Sequence, residues 1–231
     1  MVVNVVNKGL VRSAVRTAAL AAALCGMLAT AAAAIEIKTV DDTDGKTVTI
    51  LLSGRTAKED ALRVRSFVNG VDPGKTIIAQ LDFSGGTISD AMAIGRFFNQ
   101  SGIRTTVPAK AKCNSPCPLV LVGGRDAVTG KPSYVKYSSA SLGFWGFSLN
   151  FDDKEYTATD LDNLVATTQR SILSVADYLR DVGADMNLLK YYLSAVRPND
   201  IRYISNEQAL DVGISIMSEA TGQLIEPRKR R

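Results

Sequence analysis

The chain of 231 residues is 46% hydrophobic and 22% charged, which is ordinary for a folded domain and contrary to disorder. It contains no histidine, and this excludes a Ser-His-Asp relay or any other mechanism that passes a proton through imidazole. The net charge of +4 arises at the ends, from Lys8, Arg12 and Arg16 and from Arg228, Lys229, Arg230 and Arg231. The remaining 20 basic residues face 23 acidic ones, so the body is not built to bind nucleic acid.

Residues 1–34 read as a secretory signal. Three basic residues precede an almost wholly apolar run from Thr17 to Thr30, and Ala31, Ala32, Ala33 and Ala34 supply the small residues of an A-x-A cleavage site. The run is short for a membrane anchor, which needs about 20 residues. No later segment is long and apolar enough to span a bilayer, so the expected location is periplasmic or secreted. Cys25 leaves with the leader, and Ala22 and Leu24 do not suit a lipidation site around it. The mature chain then keeps Cys113 and Cys117 in an oxidising compartment. Two cysteines without histidine do not make a zinc site, and no cofactor is expected.

The mature chain alternates strand and helix. Ile35 to Val40 and Lys46 to Ser53 read as strands joined by the turn Asp42-Thr43-Asp44-Gly45. Thr56 to Glu59 has capping-box spacing and opens a helix through Val68. Lys75 to Phe83 is a β-branched, buried type of strand. Ser84-Gly85-Gly86 is expected to turn sharply into a helix from Ser89 to Ser101, which Gly102 ends. Ile103 to Val107 is a further strand, and a short buried helix is expected from near Ser115 through the apolar run to Gly124. A strand near Ala140 to Phe144 precedes a long amphipathic helix from Thr157 to Val182. Asp185 to Val196 is a second helix, Ser205 to Gln208 caps a third, and Ile214 to Met217 is a last strand. The pattern is that of one α/β domain over 35–219. The basic tail, 220–231, is expected to be disordered.

Leu81-Asp82-Phe83-Ser84-Gly85-Gly86 followed by Ser89 to Ile94, then Cys113-Asn114-Ser115-Pro116-Cys117, and finally Ile204 to Ile214, stand in an order and spacing that resemble the Clp protease proteolytic subunit and its crotonase-like relatives. The likeness is nearest to exported bacterial proteins of that fold with a Cys-x-Ser-x-Cys signature, and it covers about Thr47 to Met217. It implies a Clp-protease/crotonase-like domain of repeated ββα units with C-terminal helices, of a kind that commonly assembles into rings or trimers. By position, Ser115 stands where the family has its nucleophile. Phe144 stands at or near the histidine position, and Ile201 at the aspartate position with Asp200 beside it. One oxyanion donor would come from Gly86, but the other falls on Pro116, which has no N–H.

Three functions follow as expectations. The first is a non-catalytic member of the fold that binds a peptide, an apolar ligand or a protein partner in a groove formed by Gly85, Gly86, Ser115, Phe144 and Trp145. Core packing is the commoner fate for two such aromatics. The second is a hydrolase with a Ser-Lys dyad at Ser115, in which Lys110, Lys112, Lys131 or Lys136 serves as base. The third is redox chemistry at Cys113 and Cys117, whose Cys-x-x-x-Cys spacing instead favours a structural disulfide across one helical turn. Without a base, Ser115 is expected to cap the helix that follows it.

Overall fold

The computed structural model describes residues 34–41, 45–145, 155–194 and 200–227. It shows ten strands in one mixed sheet and six helices among these residues. The central strand is β3 (Thr76–Gly86). On one side it pairs in parallel with β2 (Thr47–Thr56), which pairs antiparallel with β1 (Glu36–Asp41). On its other side β3 has two neighbours in succession. Ile78 to Gln80 pair with β4 (Arg104–Val107), while Ser84 pairs with β5 (Lys112–Asn114).

The sheet divides at that point. One arm runs from β4 to β6 (Tyr134–Tyr137), β9 (Ser215–Met217) and β10 (Leu224–Ile225). The other runs from β5 to β7 (Ser141–Trp145) and β8 (Ile201–Tyr203). An 11-residue strand is long enough to serve both arms because each residue advances about 3.3 Å.

The helices cover the apolar faces. Helix α1 (Asp60–Asn69) buries Val64 and Val68, and α2 (Ile88–Ser101) buries Ala91, Ile94, Phe97 and Phe98. The short α3 (Cys117–Leu121) is buried throughout. Helix α4 (Ala158–Val182) starts with a full capping box between Thr157 and Asp160. Helices α5 (Leu188–Ser194) and α6 (Asn206–Asp211) complete the set, the latter capped by Ser205 and Gln208.

Helices α2, α3 and α4 meet at Gly95. The Tyr178 hydroxyl donates to Leu119 O at 2.5 Å, and a Cβ on Gly95 would lie 2.0 Å from that hydroxyl. Only glycine lets the three elements come so close, and this contact fixes α3 directly behind Ser115.

Several sequence expectations are corrected. Thr56 does not cap α1, because its hydroxyl is directed at Gly85 O and Thr87 O. Gly85 and Gly86 do not form a sharp turn; they are the last two residues of β3, each with a positive φ. Cys113 lies in a strand, not on a helical turn. Two strands stand where one was expected between Tyr134 and Phe147. β8 was not anticipated; its three residues carry no alternating pattern.

Helix α4 is not amphipathic along its whole length. It buries Val175, Tyr178, Leu179 and Val182, whereas Leu161 and Val165 are exposed. The sheet continues past residue 219 into β10, which pairs antiparallel with β9. The turn 42–44, the leader up to residue 33, the end of the helix expected to reach Val196, and residues 228–231 lie outside the described residues. No helix among the described residues is long and apolar enough to cross a membrane.

Candidate functional site

Ser115 sits just beyond β5, where the ends of β3, β5 and β7 converge. The register aligns Ser84 with Asn114, and Asn114 with Gly143. The ladder hydrogen bonds then continue one residue further. Ser115 N–H donates to Gly143 O at 2.9 Å, and Gly85 N–H donates to Ser115 O at 2.9 Å. The side chain is equally engaged. The Trp145 backbone N–H donates to Ser115 Oγ at 3.1 Å, and the Tyr192 phenol is a second neighbour of that oxygen. Burial pushes the Tyr192 pKa up, while its contact with the Ser115 side chain pulls the other way. Ser115 is 7% exposed.

Three of the five expected groove residues, Gly85, Ser115 and Trp145, are therefore brought together. The other two are elsewhere. Gly86 faces Thr56, and a Cβ there would lie 1.9 Å from Thr56 O. Phe144 is fully buried between Tyr191 and Tyr192, at ring-centroid distances of 5.4 and 4.9 Å, the second edge-on. It is core, because β7 alternates and its Phe144 face lies under α5. Trp145 is half-buried.

Ser115 does not cap α3. Pro116 occupies the cap position without a side-chain bond, since the serine hydroxyl is turned toward β7. Pro116 supplies no N–H, so that position offers no oxyanion donor; of the glycine pair, Gly85 N–H donates to Ser115 O, and Gly86, the other expected donor, faces Thr56.

None of the four candidate lysines is among the hydrogen-bond partners of Ser115. Lys110, Lys112 and Lys131 are exposed. Lys136 is buried, and its ammonium donates to Tyr137 O, Ser138 O and Asn206 Oδ1 at 3.1, 3.5 and 2.6 Å. Burial lowers its pKa, opposed by the charge of Glu219. Asp200 is exposed, and Ile201 is in β8.

The Cys113–Cys117 disulfide is present, with Cα atoms 5.2 Å apart. It ties the end of β5 to the first residue of α3 and so braces the two ends of the segment carrying Ser115. Among the described residues no cluster of His, Cys, Asp or Glu could hold a metal ion.

Sequence reasoning missed three residues, Asn114, Arg55 and Tyr192, and did not anticipate the state of the Trp145 indole. Asn114 is buried, and its Oδ1 lies against Gly143 without a hydrogen-bond partner; Trp145 Nε1 is also buried without one. The exposed Arg55 guanidinium covers Gly85, where an added Cβ would lie 2.8 Å from it. Tyr192 lies 77 positions from Ser115, and no local pattern links them.

Beside the site is an open cleft of about 410 Å3, lined by Lys190, Tyr191, Ser194, Arg202 and Gln208. It adjoins Phe144 through Tyr191, which packs on that ring, and through Arg202, its register partner in β8. The Lys190 ammonium lies 4.9 Å over the Tyr191 ring, an arrangement that holds the cation at the mouth. No protein-family model and no curated protein matched this chain.

Proposed function

We propose that this chain is an exported, non-catalytic protein with a Clp-protease/crotonase-like fold, which binds a peptide or a segment of a protein partner in the periplasm or outside the cell. The observation that carries the non-catalytic reading is the Ser115 hydroxyl. It is buried and accepts from a backbone N–H, and among the described residues no basic side chain is a hydrogen-bond partner of it. A serine reacts at useful rates only when a base takes its proton and donors hold the oxyanion.

Binding is supported by what surrounds it. Asn114 Oδ1 and Trp145 Nε1 are a buried acceptor and a buried donor left unpaired. The adjoining cleft adds two cations and an aromatic wall, Lys190, Arg202 and Tyr191. A segment bearing carboxylates suits that lining. The fold assignment is supported by the order β3, glycine pair, α2, Cys-x-Ser-x-Cys, α3 and closing α6.

The test has two arms on the exported protein. Treatment with a fluorophosphonate, with Ser115→Ala as control, is expected to leave Ser115 unlabelled; stoichiometric labelling there would overturn the non-catalytic reading and favour the Ser-Lys alternative. Selection from a displayed random-peptide library is expected to enrich acidic sequences that lose binding to Arg202→Glu. Enrichment unaffected by that change would remove the cleft from the proposal.

A further inference from the structure

The boundary between exposed and buried chain falls between two adjacent residues. Ala34 is exposed, whereas Ile35 is fully buried and β1 begins one residue later. The Ile35 nitrogen donates to Asp60 Oδ2 at 2.9 Å. Asp60 is itself fully buried, the first residue of α1, and holds Ala57 N–H at 2.7 Å with the same oxygen. Its Oδ1 takes Arg63 at 2.6 Å, and the same guanidinium nitrogen reaches Ile35 O at 3.0 Å. The Asp60–Arg63 pair thus holds both polar backbone groups of one residue, the carboxylate its nitrogen and the guanidinium its carbonyl, and that residue follows the alanine run. Ala32 and Ala34 are small residues at the third and first positions before the Ala34–Ile35 bond.

We infer that the Ala34–Ile35 bond is the processing point of this chain, and that the α-ammonium released at Ile35 forms a buried ion pair with Asp60. This rests on the reading of residues 1–34 as an exported leader. A signal-cleaving peptidase hydrolyses the bond with one water. The carbonyl of Ala34 departs as a carboxylate with the leader, and the Ile35 nitrogen is left as an ammonium. One of its hydrogens keeps the Asp60 bond, now between opposite charges and correspondingly stronger. Ala34 is exposed, so its removal opens the nitrogen to water on that side for the other hydrogens.

Before cleavage, the one cationic partner of Asp60 among the described residues is the half-exposed Arg63; cleavage adds the ammonium of Ile35. The alternative cut after Ala33 would also satisfy the small-residue rule, but it would leave the Ile35 nitrogen an uncharged amide. The other charged groups nearby are directed elsewhere: Glu36 pairs with Lys38 at 2.8 Å, and Arg55 covers Gly85.

An amine paired with a carboxylate has its folded pKa raised above the unfolded value of about 7.7–8.0. The pair therefore adds stability that is complete below about pH 8 and is lost as pH rises through the folded pKa.

The test is to express the full chain for export, purify the product, and measure its intact mass and α-amine reactivity. The expected mass is that of residues 35–231. At pH 7 the Ile35 amine of the native protein should acetylate at least about tenfold more slowly than in urea, the factor that one pKa unit of protection provides. The melting temperature should fall from pH 7 to pH 10, and this fall should be lost in Asp60→Asn. An unprocessed chain would overturn the exported reading and this inference with it. A product beginning at another residue would overturn this inference alone. A product beginning at Ile35 whose amine reacts equally fast folded and unfolded would overturn the ion pair; that measurement needs no variant that folds.

Discussion

The backbone N–H of Trp145 donates to the Ser115 hydroxyl at 3.1 Å. A serine oxygen used in this way is a structural acceptor joining β7 to the segment after β5, and its lone pairs are directed at a partner that cannot take its proton. Replacing Ser115 by alanine leaves a buried N–H without a partner. The expected cost is about 1–3 kcal/mol of stability, measured by urea unfolding of the protein. A loss well below this range would mean that water enters and replaces the hydroxyl.

Gly86→Ala should be far more damaging than Gly130→Ala. Both glycines have positive φ, but the added Cβ meets Thr56 backbone at 1.9 Å in the first case and open space in the second. Gly130→Ala is expected to cost about 1–2 kcal/mol, the penalty of a left-handed conformation alone. Gly86→Ala should prevent β2 and β3 from meeting at Thr56 and yield little soluble protein. Equal thermal stability of the two variants would contradict the contact.

The disulfide joins residues four apart, so it closes a very short loop. Loop-closure entropy for such a ring gives about 2 kcal/mol of stabilisation. A double Cys113→Ala, Cys117→Ala variant is expected to lose about that much in urea unfolding. The unreduced wild-type protein, unfolded, should show no thiol from Cys113 or Cys117 in a quantitative assay.

Asp126 should carry part of the acid sensitivity. Its carboxylate accepts from the Thr129 backbone and side chain and pairs with Arg104, and these contacts hold its pKa down to about 2. The folded value lies below the unfolded one, so its contribution is complete above about pH 4 and is lost as pH falls toward the folded pKa. Asp126→Asn should flatten that part of the curve of melting temperature against pH, read from pH 5 down to 2.

Asn206 provides the only side-chain acceptor among the three bonds of the buried Lys136 ammonium. Asn206→Ala should cost about 1–3 kcal/mol, because a buried charged donor loses a partner. An Asn206→Asp variant restores an acceptor, and recovery of the lost melting temperature would confirm the role.

Local chemistry made much of the architecture legible. Alternating and β-branched runs marked β1 to β4, the amphipathic run from Thr157 and the cap Ser205 marked where α4 and α6 begin, and Gly102 marked the end of α2. The disulfide partners followed from there being two cysteines, Cys113 and Cys117, after residue 34. Helix α4 misled because its apolar spacing continues through Leu161 and Val165, where the described structure leaves both exposed.

The absence of histidine and the proline after Ser115 were settled by the residues alone, since no arrangement in space can supply a missing imidazole or a missing N–H. Where the Ser115 hydroxyl points could not be read that way. Its partners come from Trp145, 30 positions away, and from Tyr192, on a different helix. The core position of Phe144 between two tyrosines and the burial of Asp60 against Ile35 are of the same kind. Each depends on the packing of elements far apart in the chain, and a periodicity of two or 3.6 residues carries no information about which distant element supplies the partner.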